Sequence, residues 1–256
     1  MIILKKFQIL DPDRSYVLMD FDRTITAHDS STTWGLLEES KFVDPRYSKE
    51  SLELYNEYRP IELDHNMPFE VKAKHMEEWH ERVGGLLNKY HIFDGTIDRI
   101  LSHSNGLKLR KGSKNFLEQM KMLGVPVIIV SAGLGDFISR YLQTENLLFD
   151  NITIYSNFFV FDENGRIITV KQPIIHSLNK YQLDYSEIIG DRDTGIVFGD
   201  QIEDREMGRG LNTVDIGFCD PKIHSLEKYK SSFDIVLTDG SSYDEIGTVM
   251  IKNYKR

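Results

Sequence analysis

Short, mostly β-branched apolar runs at residues 16–19, 125–130, 195–198, 214–218 and 235–237 alternate with segments whose apolar residues recur at helical spacing. This alternation constrains the fold more than any other feature of the chain. Runs of that length and composition read as strands buried on both faces, and strands alternating with helices build a mainly parallel sheet covered by helices on both sides. The spacing predicts helices over 113–123, 134–143 and 243–251, and another starting near residue 203. Residues 152–160 and 167–170 flank Asp162-Glu163-Asn164-Gly165, a turn sequence that predicts a hairpin. In open sheets of this class, ligands bind where the strands end.

Residues 30–104 break the pattern. They hold no convincing strand, and charged, aromatic and apolar residues mix at helical spacing, as in Val71-Lys72-Ala73-Lys74-His75-Met76-Glu77-Glu78-Trp79-His80. Pro45, Pro60 and Pro68 punctuate this stretch, and Gly84-Gly85 forms a candidate joint. The expected organisation is a Rossmann-like α/β core of residues 1–29 and 105–256, interrupted by a helical domain of residues 30–104. Hinges are expected near 27–30 and 102–107.

Composition excludes several classes of function. A formal net charge of −9 argues against a nucleic-acid polymer as partner, though a local positive site still admits a small anion. Cys219 is the only cysteine, so there is neither a disulfide framework nor a cysteine-rich zinc site. No apolar run is long enough to span a membrane, and Met1-Ile2-Ile3-Leu4-Lys5-Lys6 is too short for a secretory signal. A monomeric cytoplasmic protein acting on a small molecule is expected. His75 and His80 are five apart, the wrong spacing for a helical zinc pair. The 162–165 turn is no calcium loop, because Ile167 and Pro173 stand where glycine and glutamate are required.

Four motifs fall at strand ends or beside them. The first apolar run breaks off into Asp20-Phe21-Asp22-Arg23-Thr24, and the second into Ser131-Ala132-Gly133-Leu134-Gly135-Asp136. Another ends in Gly199-Asp200-Gln201-Ile202-Glu203-Asp204, with Lys180 lying between the second and third. Each has an ordinary reading: Asp, Ser and Thr cap helices, acids suit a helix N-terminus, and most lysines are simply solvated. Together they offer a carboxylate cluster (Asp20, Asp22, Asp200, Asp204) suited to a hard cation, with Mg²⁺ the best candidate. Ser131 and the amides of Ala132 and Gly133 make a candidate oxyanion cradle.

In order and placement, Asp-x-Asp-x-Thr, a strand-end Ser, a Lys and Gly-Asp-x-x-x-Asp resemble the four-part signature of the haloacid dehalogenase superfamily. The insertion lies where that family carries a helical cap. Arg59-Pro60-Ile61-Glu62-Leu63-Asp64, Met76-Glu77-Glu78-Trp79 and Ile175-His176-Ser177-Leu178-Asn179-Lys180 are more closely similar to the cytosolic pyrimidine (type III) 5′-nucleotidases. The resemblance implies Mg²⁺-dependent hydrolysis of a nucleoside 5′-monophosphate, of the pyrimidine or N7-methylguanosine type, through an aspartyl-phosphate. It assigns Asp20 as nucleophile and Asp22 as acid/base. It gives Asp20, the Asp22 carbonyl and Asp200 to the metal, with Asp204 supporting them directly, through water or by holding Lys180. Ser131, Ala132, Gly133 and Lys180 would hold the phosphate, and the cap would read the base through Glu62 and His80.

The chain also departs from the family. His80 stands where the family has an aromatic after the tryptophan, Val83 replaces a serine, and Ser30-Ser31-Thr32-Thr33-Trp34 does not match. Trp79 is expected to be structural, and Trp34 fits either a wall of the site or the core. Phosphoserine or another small phosphomonoester is the alternative substrate. Phosphoryl transfer to a nucleoside and a non-catalytic phosphate-binding domain are the remaining alternatives.

Overall fold

The computed structural model describes residues 2–3, 10–64, 66–238 and 242–250. The chain begins with β1 (Ile2–Ile3) and β2 (Ser15–Met19), then four consecutive helices: α1 (Thr33–Glu38), α2 (Pro45–Leu63), α3 (Phe69–Lys89) and α4 (Asp94–His103). It continues through α5 (Ser113–Met122), β3 (Val127–Leu134), α6 (Gly135–Thr144), β4 (Ile152–Asn157), β5 (Phe159–Phe161) and β6 (Ile167–Val170). It ends with α7 (Ser186–Ile189), β7 (Thr194–Gly199), β8 (Thr213–Cys219), α8 (Leu226–Ser232), β9 (Ile235–Thr238) and α9 (Tyr243–Met250). The sheet order is β1-β9-β8-β7-β2-β3-β4. All neighbours pair in parallel except β1, which runs antiparallel on β9. Residues 1 and 4–6 of the N-terminal stretch and residue 251 of the last predicted helix lie outside the described residues.

Strand alternation explains the layers. Val17 and Met19 of β2 join Ile129, Ile196 and Phe198 in one core with residues of α5, α6 and α9. Tyr16 and Leu18 point to the opposite face, where they pack with Ile128, Val130 and Val197 against Tyr185 and Ile189. A sheet covered on both faces needs central strands that are apolar throughout, and β2 is buried at every position. Each such Val, Ile or Leu removed from water contributes roughly 1.5–3 kcal/mol.

Two expectations need correction. The run 152–160 is two strands, not one. β3 gives way to α6 after Leu134, whose partner Asn157 is the last residue of β4, so the chain beyond has no ladder to continue. The Phe159 amide instead donates to Asp136 Oδ2 at 2.7 Å, and β5 pairs antiparallel with β6 across the predicted turn. The helix expected near residue 203 is a tight 3₁₀ winding, Ile202–Gly208, which opens on a box between Gln201 and Asp204.

Among the described residues between β2 and β3 there is no strand, as the spacing predicts. Asp44 caps α2 through the Arg46 amide at 2.9 Å, with Pro45 in the first turn where its missing N–H costs nothing. Leu36, Leu37, Tyr47, Leu87, Ile97 and Ile100 belong to the same core as the sheet. Leu54, Tyr58, Met76 and Val83, between α2 and α3, form a separate cluster. The segments entering and leaving the insertion bind each other: Ala27 N donates to Lys108 O at 2.8 Å and Ser31 N to Gly106 O at 2.9 Å. Among the described residues, no helix is long and apolar enough to cross a membrane.

Candidate active site

Beyond Met19 the chain winds through residues 21–25, with Arg23 in the left-handed region (φ 62°) and the Thr26 amide closing on Phe21 O at 3.1 Å. Arg110 Nε donates to Thr24 O at 3.0 Å and Nη2 donates to Arg23 O, holding the winding from outside. Asp20 and Asp22 both line one cavity of about 260 Å³ as a result.

Lys180 Nζ lies between two carboxylates, 2.6 Å from Asp20 Oδ1 and 2.7 Å from Asp204 Oδ1, and all three residues are buried. Asp204 also accepts from the Gln201 amide at 2.9 Å, and Gln201 Nε2 donates to Asp200 Oδ2 at 2.9 Å. The Tyr229 hydroxyl donates to the Asp200 carbonyl. Gly199 is required here, since a Cβ on it would sit 2.2 Å from Asp204 Cβ.

Asp20, Asp200 and Asp204 bring carboxylate oxygens within 4.8 Å of one another. Burial pushes Asp20 up to about 8, with Asp204 and Asp200 adding to the rise and Lys180 opposing it. Burial and Asp204 push Asp200 up to about 7. Burial works against the charge on Lys180, but Asp20 and Asp204 outweigh it and raise the group, so the ammonium stays charged. One cation among three buried acids leaves negative charge and hard oxygen donors uncompensated, which fits a divalent metal.

The Asp22 carboxylate belongs to a different network. It accepts from the Thr33 amide at 3.1 Å and the Thr33 hydroxyl at 3.1 Å, at the start of α1. Burial and the neighbouring Asp20 raise it to about 7, while the two Thr33 bonds pull the other way. A carboxyl balanced near neutrality can give and take a proton, as an acid/base requires. Its side chain is not part of the three-carboxylate cluster.

Ser131, Ala132 and Gly133 lie inside β3, not after it. Val130 pairs with Tyr155 and Leu134 with Asn157, so four steps along β3 span two along β4 and the strand bulges. Ser131 Oγ accepts from the Gly133 amide at 3.1 Å. Ala132 O accepts from Trp34 Nε1 at 3.1 Å and Asn157 Nδ2 at 2.9 Å. A side chain at Gly133 would meet Thr33 Oγ1 at 2.4 Å and Asp22 Oδ2 at 2.8 Å.

The insertion walls the same cavity with Trp34, Tyr55, Glu62, Trp79, His80 and Val83. Trp79 stacks on Tyr58 at 5.9 Å and 6°, which accounts for it as a packing residue of the α2–α3 cluster. Trp34, expected either as a wall of the site or in the core, packs against the core, lines the cavity and reaches the bulge. His80 Nδ1 is 2.8 Å from Met76 O; a carbonyl can only accept, so the proton sits on Nδ1. Burial lowers the His80 value. Glu62 is held by Arg59 and by Ser177 Oγ at 2.8 Å.

Four residues of this arrangement escaped sequence reasoning. Thr33 looked like part of an unmatched stretch. Arg59 and Ser177 lay inside recognisable motifs without a role. Asn157 carried the one available signal, an amide closing the run Ile152-Thr153-Ile154-Tyr155-Ser156.

A sequence model of the Pyrimidine 5′-nucleotidase (UMPH-1) family matches residues 21–252. The chain belongs to the pyrimidine 5′-nucleotidase family. The chain is therefore an enzyme, a 5′-nucleotidase, as its resemblance implied. This pyrimidine 5′-nucleotidase family member is 31% identical to the 7-methylguanosine phosphate-specific 5′-nucleotidase of Drosophila melanogaster over 97% of this chain and 82% of the relative. It is 30% identical to the protein of that name from Homo sapiens, over 93% and 84%. It superimposes with a TM-score of 0.83 and 31% identity on a crystal structure of cytosolic 5′-nucleotidase IIIB bound to cytidine, covering 94% of this chain and 86% of that one. An apo phosphoserine phosphatase shares the fold at 15% identity, with a TM-score of 0.57 over 94% and 98% of the two chains.

Proposed function

We propose that the chain hydrolyses nucleoside 5′-monophosphates of the pyrimidine or N7-methylguanosine type with the help of Mg²⁺, through an aspartyl-phosphate on Asp20. The observation that carries this reading is the buried Lys180, which touches the proposed nucleophile in a cavity that Glu62 and the aromatics of the insertion also line. The reading is supported by relatives named 7-methylguanosine phosphate-specific 5′-nucleotidase and by the similar cytosolic 5′-nucleotidase IIIB structure, which is bound to cytidine.

In this reading Asp20 attacks phosphorus in line. Asp22 gives its proton to the leaving 5′-oxygen, and the ionised Asp22 then takes a proton from the water that opens the acyl phosphate. Lys180, Ser131 and the Ala132 and Gly133 amides hold the phosphoryl oxygens. Asp20, the Asp22 carbonyl and Asp200 would hold the metal, which when bound supplies positive charge against the phosphate. Asp204 has one oxygen on Lys180 and the other on the Gln201 amide, so its part is to aim the lysine.

Residues 30–104 act as a cap that closes on the nucleoside, with Glu62 accepting hydrogen bonds from the base and His80 packing on it. The protein is expected to work as a cytoplasmic monomer.

The test is phosphate release with Mg²⁺ from CMP, UMP, N7-methyl-GMP, AMP, GMP and phosphoserine, with Asp20→Asn as the blank. Selective turnover of CMP, UMP or N7-methyl-GMP, lost in the variant, supports the reading. Turnover of phosphoserine alone would keep the core chemistry and reject the assignment of the cap.

A further inference from the structure

The residue that reads the base in the proposed function is fixed at three points. Lys72, a buried lysine of α3, donates from Nζ to the Glu62 carbonyl at 3.2 Å and so satisfies one of the open carbonyls at the end of α2. Arg59, one turn earlier in α2, donates from Nη1 to Glu62 Oε2. These two belong to the inserted helices and would travel with Glu62 in any movement of the cap.

The third donor does not. Ser177 Oγ donates to Glu62 Oε1 at 2.8 Å from the loop that carries Lys180 three residues later. That loop is fastened to the core independently of the Ser177 hydroxyl. Asn179 Oδ1 accepts from the His176 amide at 2.8 Å, and its Nδ2 donates to Ile174 O at 2.7 Å. Asn157 exchanges two bonds with the Ile175 backbone, at 2.7 and 2.8 Å. At the far end of the loop, Lys180 grips Asp20 at 2.6 Å. One short, anchored segment therefore touches the base-reading carboxylate with one side chain and the nucleophile with another.

We infer that Ser177 is a positioning residue for specificity. It holds Glu62 in register with the Lys180–Asp20 pair, so that a base is read only when the cap sits where chemistry occurs. This rests on the nucleotidase reading above. A carboxylate offers about four lone-pair directions. Arg59 and Ser177 take one on each oxygen, and the remaining acceptors are available to a base edge that presents N–H donors, as cytosine and N7-methylguanine do. Without the Ser177 hydroxyl, Arg59 still holds the carboxylate within its own helix, but its bond to Ser177 of the lysine loop is gone.

The experiment compares Ser177→Ala and Ser177→Thr with the wild type on N7-methyl-GMP, CMP and ribose 5-phosphate, which has the phosphate and sugar but no base. The quantity read is kcat/KM for each nucleotide divided by kcat/KM for ribose 5-phosphate. One hydrogen bond to a charged group predicts that this ratio falls about tenfold in Ser177→Ala, chiefly through KM, and recovers in Ser177→Thr, which restores a hydroxyl. An unchanged ratio, whether both activities hold or both decline together, overturns the proposal and leaves the nucleotidase reading intact. A wild type that cleaves ribose 5-phosphate but no nucleotide overturns the nucleotidase reading and this inference with it.

Discussion

Asp20 and Asp22 are two residues apart, yet they sit in different electrostatic surroundings. Asp20 shares its site with an ammonium and two more acids, whereas Asp22 is held by the first residue of α1. Environment rather than residue type separates a nucleophile from an acid/base. Thr33 is the lever on Asp22, since both of its hydrogen bonds favour the ionised carboxylate. Thr33→Val keeps the amide bond and loses the hydroxyl, so the Asp22 value moves further up. In the proposed mechanism the group must be protonated to expel the leaving oxygen, and its alkaline limb therefore shifts to higher pH. We expect kcat to drop about tenfold, a fraction of what a positioned acid supplies. A pH profile of kcat/KM superimposable on the wild type would show that Asp22 does not depend on Thr33.

At the level of elements, the site is assembled by strand ends and locked by one amide. β4 contributes no catalytic group, but its last residue, Asn157, ties the β3 bulge to the lysine loop through Ala132 O and the Ile175 backbone. Removing that fully buried side chain takes both partners from the Ile175 backbone and leaves Ala132 O with its bond from Trp34 alone. We expect Asn157→Ala to destabilise the protein by about 2–4 kcal/mol, or roughly 5–10 °C in a melt, and to lower kcat as well. Asn157→Asp should be at least as damaging, because a carboxylate has no donor for the two carbonyls. Wild-type melting of either variant would mean that the bulge and the lysine loop are held by other contacts.

Over the whole molecule, buried acids make stability depend on pH and metal together. Asp20 is raised from 3.8 to about 8, and Asp22 and Asp200 to about 7. A raised acid stabilises the fold only while it holds its proton. The contribution is complete below about pH 4 and is lost as pH climbs through the folded-state values. His176 acts in the opposite sense. Burial and the neighbouring His80 lower it from 6.5 to about 4, so its contribution is present above 6.5 and lost as pH falls through 4. Between pH 6.5 and 8.5 the carboxyls therefore dominate. Chelated protein should melt at a lower temperature at pH 8.5 than at 6.5, and added Mg²⁺ should raise the melting temperature more at 8.5, where the ligands have already lost their protons. An Mg²⁺ increment independent of pH would count against a metal on these carboxylates.

The α/β class, the inserted helices and the strand-end motifs were legible in the residues because they depend on local periodicity. A buried strand must be apolar, a helix repeats near 3.6 residues, and a catalytic acid at a strand end interrupts the pattern visibly. Asp20 and Asp200 stand where those interruptions fall. Tertiary structure decided what depends on contacts between distant segments. The run 152–160 had to divide because β3 ended beside it, and Ser131–Gly133 became a bulge because β4 is shorter there by two steps. Asp204 turned toward Lys180 across 24 residues, and Ser177 met Glu62 across 115. Periodicity decays within a few turns of chain, whereas a hydrogen bond is set by where the fold delivers its two ends. The partners of the proposed catalytic groups therefore became visible only once the sheet had been assembled.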